Sequence, residues 1–164
     1  MSKSQDTMIS HLSRPDAELV TWSNTYVTGI ELIDEQHKEL LNLTNQLYKA
    51  CLDGEGHVMF KEVMHRLVEY VKFHFSAELK LLEKIHYPGF LDHKKQHENL
   101  ALNILDAVKS YDESKKLLPN VFVRTLKDWV FTHIAVSDKL YAAYVADQKK
   151  KGLLSDQQIR DLMK

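Results

Sequence analysis

Four stretches of this chain repeat apolar residues at steps of three and four, and each carries histidine on its apolar stripe. The first runs through Ile33, His37, Leu40, Leu41, Thr44, Leu47, Tyr48 and Cys51; the second through Phe60, Met64, Leu67, Val71, His74, Glu78, Leu81 and Ile85. The third holds Phe90, His93, His97, Leu100, Ile104, Val108 and Tyr111, and the fourth holds Phe122, Leu126, Trp129, His133, Leu140, Tyr141 and Val145. Gly54 and Gly56 stop the first stretch, Tyr87-Pro88-Gly89 closes the second, and Pro119 parts the third from the fourth. Five Gly and three Pro in 164 residues leave uninterrupted runs long enough for helices. Four helices of roughly 20 to 28 residues with short turns pack as antiparallel neighbours. The expected fold is therefore all-α: an up-down-up-down antiparallel four-helix bundle with an N-terminal arm and a short C-terminal helix.

The expected organisation is a flexible arm over residues 1–18, the bundle over 19–152, and a short helix over 153–164 packed on or beside it. Within the bundle segment, Trp22 to Ile30 reads as extended chain with two aromatic anchors, ending near Gly29. A formal net charge of −1 gives no electrostatic reason for nucleic acid or an anionic membrane as partner. No apolar run approaches the roughly 20 residues of a membrane span, and Met1 to Asp16 lacks the apolar segment of a signal peptide. Cys51 has no second cysteine to pair with, which suits a reducing compartment. Cytoplasmic location is the expectation.

One histidine on an apolar stripe is usually a hydrogen-bonded core residue. Five on four facing stripes, with Glu78 beside them, place many polar groups in one narrow interior, where each unpaired group costs a few kcal/mol. A metal site satisfies them together. His74/Glu78 and His93/His97 are four residues apart, about 40° around a helix and one turn along it, so both members of each pair reach the same place. His133 and Asp138 are five apart and would diverge by about 140° on a regular helix. The apolar stripe slips by one residue at the same point, so the sequence predicts a π-bulge between His133 and Asp138.

Seven such ligands exceed one tetrahedral zinc, and no CxxC or Cys2His2 pattern is present. They suit two six-coordinate ions if Glu78 and Asp138 each bridge, with one solvent-derived bridge and one position left for an exogenous small molecule. Mixed imidazole and carboxylate ligands favour iron over manganese or zinc. With two acidic ligands rather than the four of ferritin-type sites, the site stabilises high-valent iron less, which favours reversible binding over oxygenase or ferroxidase chemistry. His11, His57, His65 and His86 read as solvated, Cys51 as a packed thiol, and Lys149 to Lys151 as a solvated helix end.

The pieces TGIELIDEQHKEL around His37, HFSAE at His74 to Glu78, HKKQH at His93 to His97 and HIAVSDKLY from His133 resemble the hemerythrins, in particular their bacterial single-domain form. The resemblance spans roughly Trp22 to Lys150, with Trp22 and Tyr26 matching the family's N-terminal arm. It implies two non-haem, oxo- or hydroxo-bridged iron ions per chain. His93, His97 and His133 would fill one iron and His37 and His74 the other, with Glu78 and Asp138 bridging. Dioxygen would take the open position, and Leu40, Phe75, Val130 and Ile134 match positions lining an apolar dioxygen pocket. The implied function is reversible dioxygen binding for storage, transport or delivery to an oxygen-consuming protein, by a monomer that is not an enzyme. Sensing of oxygen, nitric oxide or redox state, and di-iron oxidase or iron-handling roles, share the same site and stay open as alternatives.

Overall fold

The computed structural model describes residues 18–52, 56–114 and 119–164, and these hold helices and turns with no strand among them. His11 and most of the expected arm lie outside the described residues, as do the side chains of His57, Tyr111 and Phe122. Helices α1 (Glu31–Leu52), α2 (Gly56–Lys84) and α3 (Phe90–Ser114) follow one another through short connections. The fourth rod is continuous but changes winding: α4 (Pro119–Thr132), a six-residue π-helical segment (His133–Asp138), then α5 (Lys139–Lys150). A last helix, α6 (Asp156–Leu162), follows. α1 packs on α2 and α4, and α2 packs on α3, giving the antiparallel bundle.

The helix ends follow local chemistry. Gly29 takes φ +77°, a backbone conformation that suits glycine, at the corner before α1. Asp34, in the first turn of α1, accepts hydrogen bonds from the Thr28 amide and hydroxyl at 2.7 Å each and from the Gly29 amide at 3.1 Å. Beyond α2 the chain reverses through His86, at φ 53°, where the Tyr87 amide reaches back to the Leu82 carbonyl. A capping box starts α6: the Gln158 amide donates to Ser155 Oγ, and the Ser155 amide donates to Gln158 Oε1. Ile159 and Met163 of this tail are buried with Ile30, Ile33 and Leu82.

Two departures from the sequence reading concern the fourth rod and the arm. Leu140, assigned to the apolar stripe, is 63% exposed, because the π segment turns Tyr141 inward and leaves its neighbour outside. The stretch Trp22 to Ile30 is not extended throughout: Asn24–Tyr26 forms a 3₁₀ turn. The Tyr26 ring meets Phe131 edge-on at 4.7 Å, which docks the arm on α4. No helix among the described residues is long and apolar enough to cross a membrane.

The core divides into two apolar clusters. One contains Leu40, Leu47, Leu67, Phe75, Leu100 and Leu126 among others; the other contains Ile33, Leu81, Tyr141 and Val145. The buried histidines and carboxylates sit where these clusters meet, as His37 does between Ile33 and Leu40, while buried Thr44 lies within the larger cluster. The bundle is thus a stack of apolar, polar and apolar layers. Leu47, fully buried in the larger cluster, tests that packing: Leu47→Ala should cost about 2–5 kcal/mol in urea unfolding. A loss below about 1 kcal/mol would contradict the packing described.

Candidate metal centre

The polar layer gathers His37 from α1, His74 and Glu78 from α2, His93 and His97 from α3, and His133 and Asp138 from the two ends of the π segment. All seven are buried, with Glu78, Asp138 and His37 fully so. The π segment does what the five-residue spacing requires, keeping Asp138 on the inner face with His133: Asp138 Oδ1 lies 3.0 Å from His133 Nε2. Asp138 also faces His37 Nε2 at 3.1 Å through Oδ2, and His93 Nε2 at 3.6 Å. Glu78 Oε2 stands 3.1 Å from His97 Nε2, 3.4 Å from His93 Nε2 and 3.7 Å from His74 Nε2.

These atoms form two clusters suited to cations, Glu78 with His93, His97 and His133, and Glu78 with His37 and His74. Glu78 belongs to both. Asp138 likewise faces His37 on one side and His133 with His93 on the other. The sequence-expected residues therefore meet in one place, sorted into a group of three imidazoles and a group of two.

The chemistry of the donors supports a cation fit. Both oxygens of Glu78 and of Asp138, both nitrogens of His37, and His93 Nε2 are buried without a well-formed hydrogen bond. Such orphaned groups are rare in a folded core and call for a partner. His97 Nε2 and His133 Nε2 lie 2.9 Å apart. Two ring nitrogens bonded at right angles to one cation at about 2.1 Å would lie about 3.0 Å from each other. The approach is what two adjacent ligands of one ion require.

Neighbouring side chains fix the rings. His74 Nδ1 lies 2.9 Å from Gln36 Oε1; a proton donated there leaves the Nε2 lone pair facing the layer. Phe75 stacks on His97 with ring centres 3.7 Å apart and planes 7° from parallel, and Trp129 stacks on His133 at 4.9 Å and 8°. Tyr141 sets its ring edge-on to His93 at 5.4 Å. Leu40, Phe75, Val130 and Ile134, the expected pocket residues, are all buried in the larger apolar cluster. The sequence reading did not assign Gln36, Trp129 and Tyr141 to the site. Trp129 was within reach of the pattern, being one turn before His133, whereas the contact of Gln36 with a histidine of another helix has no signature in spacing. His86 and His65 are exposed, away from the layer.

Burial and mutual charge set the protonation of the layer. Burial pushes His74 down to about 3 and outweighs the pull of Glu78, so its imidazole is neutral. Burial lowers His97 as well. For the carboxylates burial acts upward, but His74, His93 and His97 drive Glu78 well below the usual carboxylate range. His133 and His37 hold Asp138 low against both burial and Glu78. Burial lowers His133, yet Asp138 and Glu78 reverse this and raise it. Burial, with Glu78 and Asp138 close by, lifts the Tyr141 phenol well above its ordinary value.

Such a bundle, with imidazoles and carboxylates converging between two apolar plugs, belongs to the class of helical cation-binding proteins. The family described as "Hemerythrin HHE cation binding domain" matches residues 28–145, and the chain belongs to that family. It is 29% identical over 124 residues to a bacteriohemerythrin of Methylococcus capsulatus, covering 75% of this chain and 94% of that protein. To a bacteriohemerythrin of Pseudomonas aeruginosa it is 30% identical over 144 residues, covering 83% of this chain and 93% of the other. The crystal structure of a wild-type hemerythrin superposes with a TM-score of 0.72 at 28% identity, covering 76% of this chain and 96% of that one.

The shifts set the acid response of the metal-free protein. A histidine lowered on folding contributes stability that is full above its unfolded value and is lost as pH falls toward its folded value. His74 therefore weakens the fold between pH 6.5 and about 3, and His97 acts in the same direction. Glu78 and Asp138, both lowered, add further loss below about pH 4. His133, raised, opposes them. The urea midpoint of the metal-free chain should fall from pH 7 to pH 4, and a constant or rising midpoint would contradict the assignment.

Proposed function

We propose that this protein binds dioxygen reversibly at a non-haem di-iron centre held by His37, His74, Glu78, His93, His97, His133 and Asp138, serving oxygen storage, transport or delivery. The observation that carries the proposal is the shared position of Glu78 and Asp138, each facing imidazoles of both clusters with its oxygens buried and without a well-formed hydrogen bond. His93, His97 and His133 then serve one ion and His37 and His74 the other. The family and the bacteriohemerythrin relatives support iron and dioxygen as the occupants. An iron pair so held supplies a redox-active centre that takes up and gives back dioxygen.

The chain's own residues account for the reversibility. Five imidazole and two carboxylate donors make a set less anionic than the ferritin-type sites with four acidic ligands, and so favour high oxidation states less. Leu40, Phe75, Val130 and Ile134 keep water from the dioxygen side of the layer, and none of them carries a proton to donate. In a dry, proton-poor pocket the gas leaves intact in preference to being reduced. Gln36 holds His74 in its ligating tautomer throughout.

Visible absorption of the iron-loaded protein tests this. The anaerobic form should be colourless, turn red-pink in air and lose the colour when oxygen is removed, with His74→Ala showing no such cycle. Irreversible conversion to a ferric form on first exposure to air would contradict reversible binding.

A further inference from the structure

The segment from residue 18 to Ile30 is tied at one side to α1 and at the other to the fourth rod. On α1, Asp34 holds Thr28 and Gly29, and the Asn45 side chain pairs with both backbone groups of Val20, at 3.1 and 2.8 Å. On the fourth rod, Tyr26 packs against Phe131, and Lys139 Nζ donates to the Val27 carbonyl and reaches the Asn24 carbonyl at 3.5 Å. Asn24 opens the 3₁₀ turn and Val27 closes it, so Lys139 places its charge on the turn's carbonyls. Lys139 is also the residue after Asp138, at the exit of the π segment.

A π segment competes with the commoner α winding. Were residues 133 to 138 to wind as α-helix, Asp138 would lie about 140° from His133. Lys139 would turn with it, away from the strap's carbonyls. The bond from Lys139 to Val27 therefore forms in the register that also carries Asp138 into the layer, against His37 at 3.1 Å and His133 at 3.0 Å. We propose that Lys139 is a positioning residue: by clamping the strap over residues 18–30 it locks the π register and holds Asp138 where the cations bind. The proposal rests on the metal-centre reading above and adds a residue that touches neither cation nor dioxygen.

Two measurements on the full-length chain test it: cobalt(II) titration followed by visible absorption, and hydrogen exchange of the 133–138 amides in the metal-free protein. Lys139→Met keeps the aliphatic stem and removes the donors. It should bind cobalt about tenfold more weakly, as loss of an outer-shell partner typically does, and exchange those amides faster. Lys139→Arg should restore both. Lys149→Met, which removes a lysine of the same helix paired with Asp156, should change neither. Tyr26→Leu cuts the strap's other hold on the fourth rod and should act like Lys139→Met, carrying the test if that variant fails to fold. Wild-type cobalt affinity and exchange in Lys139→Met, or failure of arginine to restore them, would overturn the proposal. If the wild-type chain bound no metal, the metal-centre reading would fall, while the exchange comparison would still decide the clamp.

Discussion

The interaction on which the rest of the structure depends is the burial of two carboxylates among five imidazoles halfway along an apolar bundle. Removing one carboxylate from water costs several kcal/mol even after relaxation, and here Glu78 and Asp138 add their mutual repulsion. The surrounding imidazoles keep both carboxylates ionised, yet burial stops His74 and His97 from taking up the proton that would make them counter-ions, so the layer retains negative charge. Cations would neutralise it. The two apolar clusters above and below the layer exclude water, which strengthens any cation–carboxylate attraction between them. A stack built this way trades metal-free stability for a preformed site.

The layer also dictates the winding of the fourth rod. Three of the rods supply their donors from one turn of α-helix, through single residues or pairs four apart. The fourth has its donors five apart, so an inserted residue must be absorbed, and the π segment absorbs it between His133 and Asp138. Leu140 is turned to solvent as a result while Tyr141 is carried into the core. Asp138 thereby comes to face both clusters. The strap from residue 18 to Ile30 lies over the same junction, joining the helix that supplies His37 to the rod that supplies Asp138.

The bundle and the layer were legible in the sequence because both are matters of spacing along one helix. His74 with Glu78, and His93 with His97, announce a shared face, and the five-residue step from His133 to Asp138 announces the π segment. What spacing does not encode is how one helix is rotated against another. Gln36 precedes a donor of α1 yet meets His74 of α2, and only the packing of those helices brings the two together. The 3₁₀ turn at Asn24–Tyr26 escaped for a related reason. Its carbonyls are met by Lys139, more than a hundred residues later in the chain. Trp129 was visible as a stripe residue but not as a ring lying flat on His133, because stripe position fixes direction and not contact.

Reversible dioxygen binding at this layer requires that it hold a pair of cations bridged by carboxylates. Iron content per chain after anaerobic reconstitution, measured beside Glu78→Ala, tests this most directly. The account predicts two iron ions for the wild-type chain and loss of at least one when Glu78 is removed. A single iron in the wild-type chain, or two retained without Glu78, would contradict it.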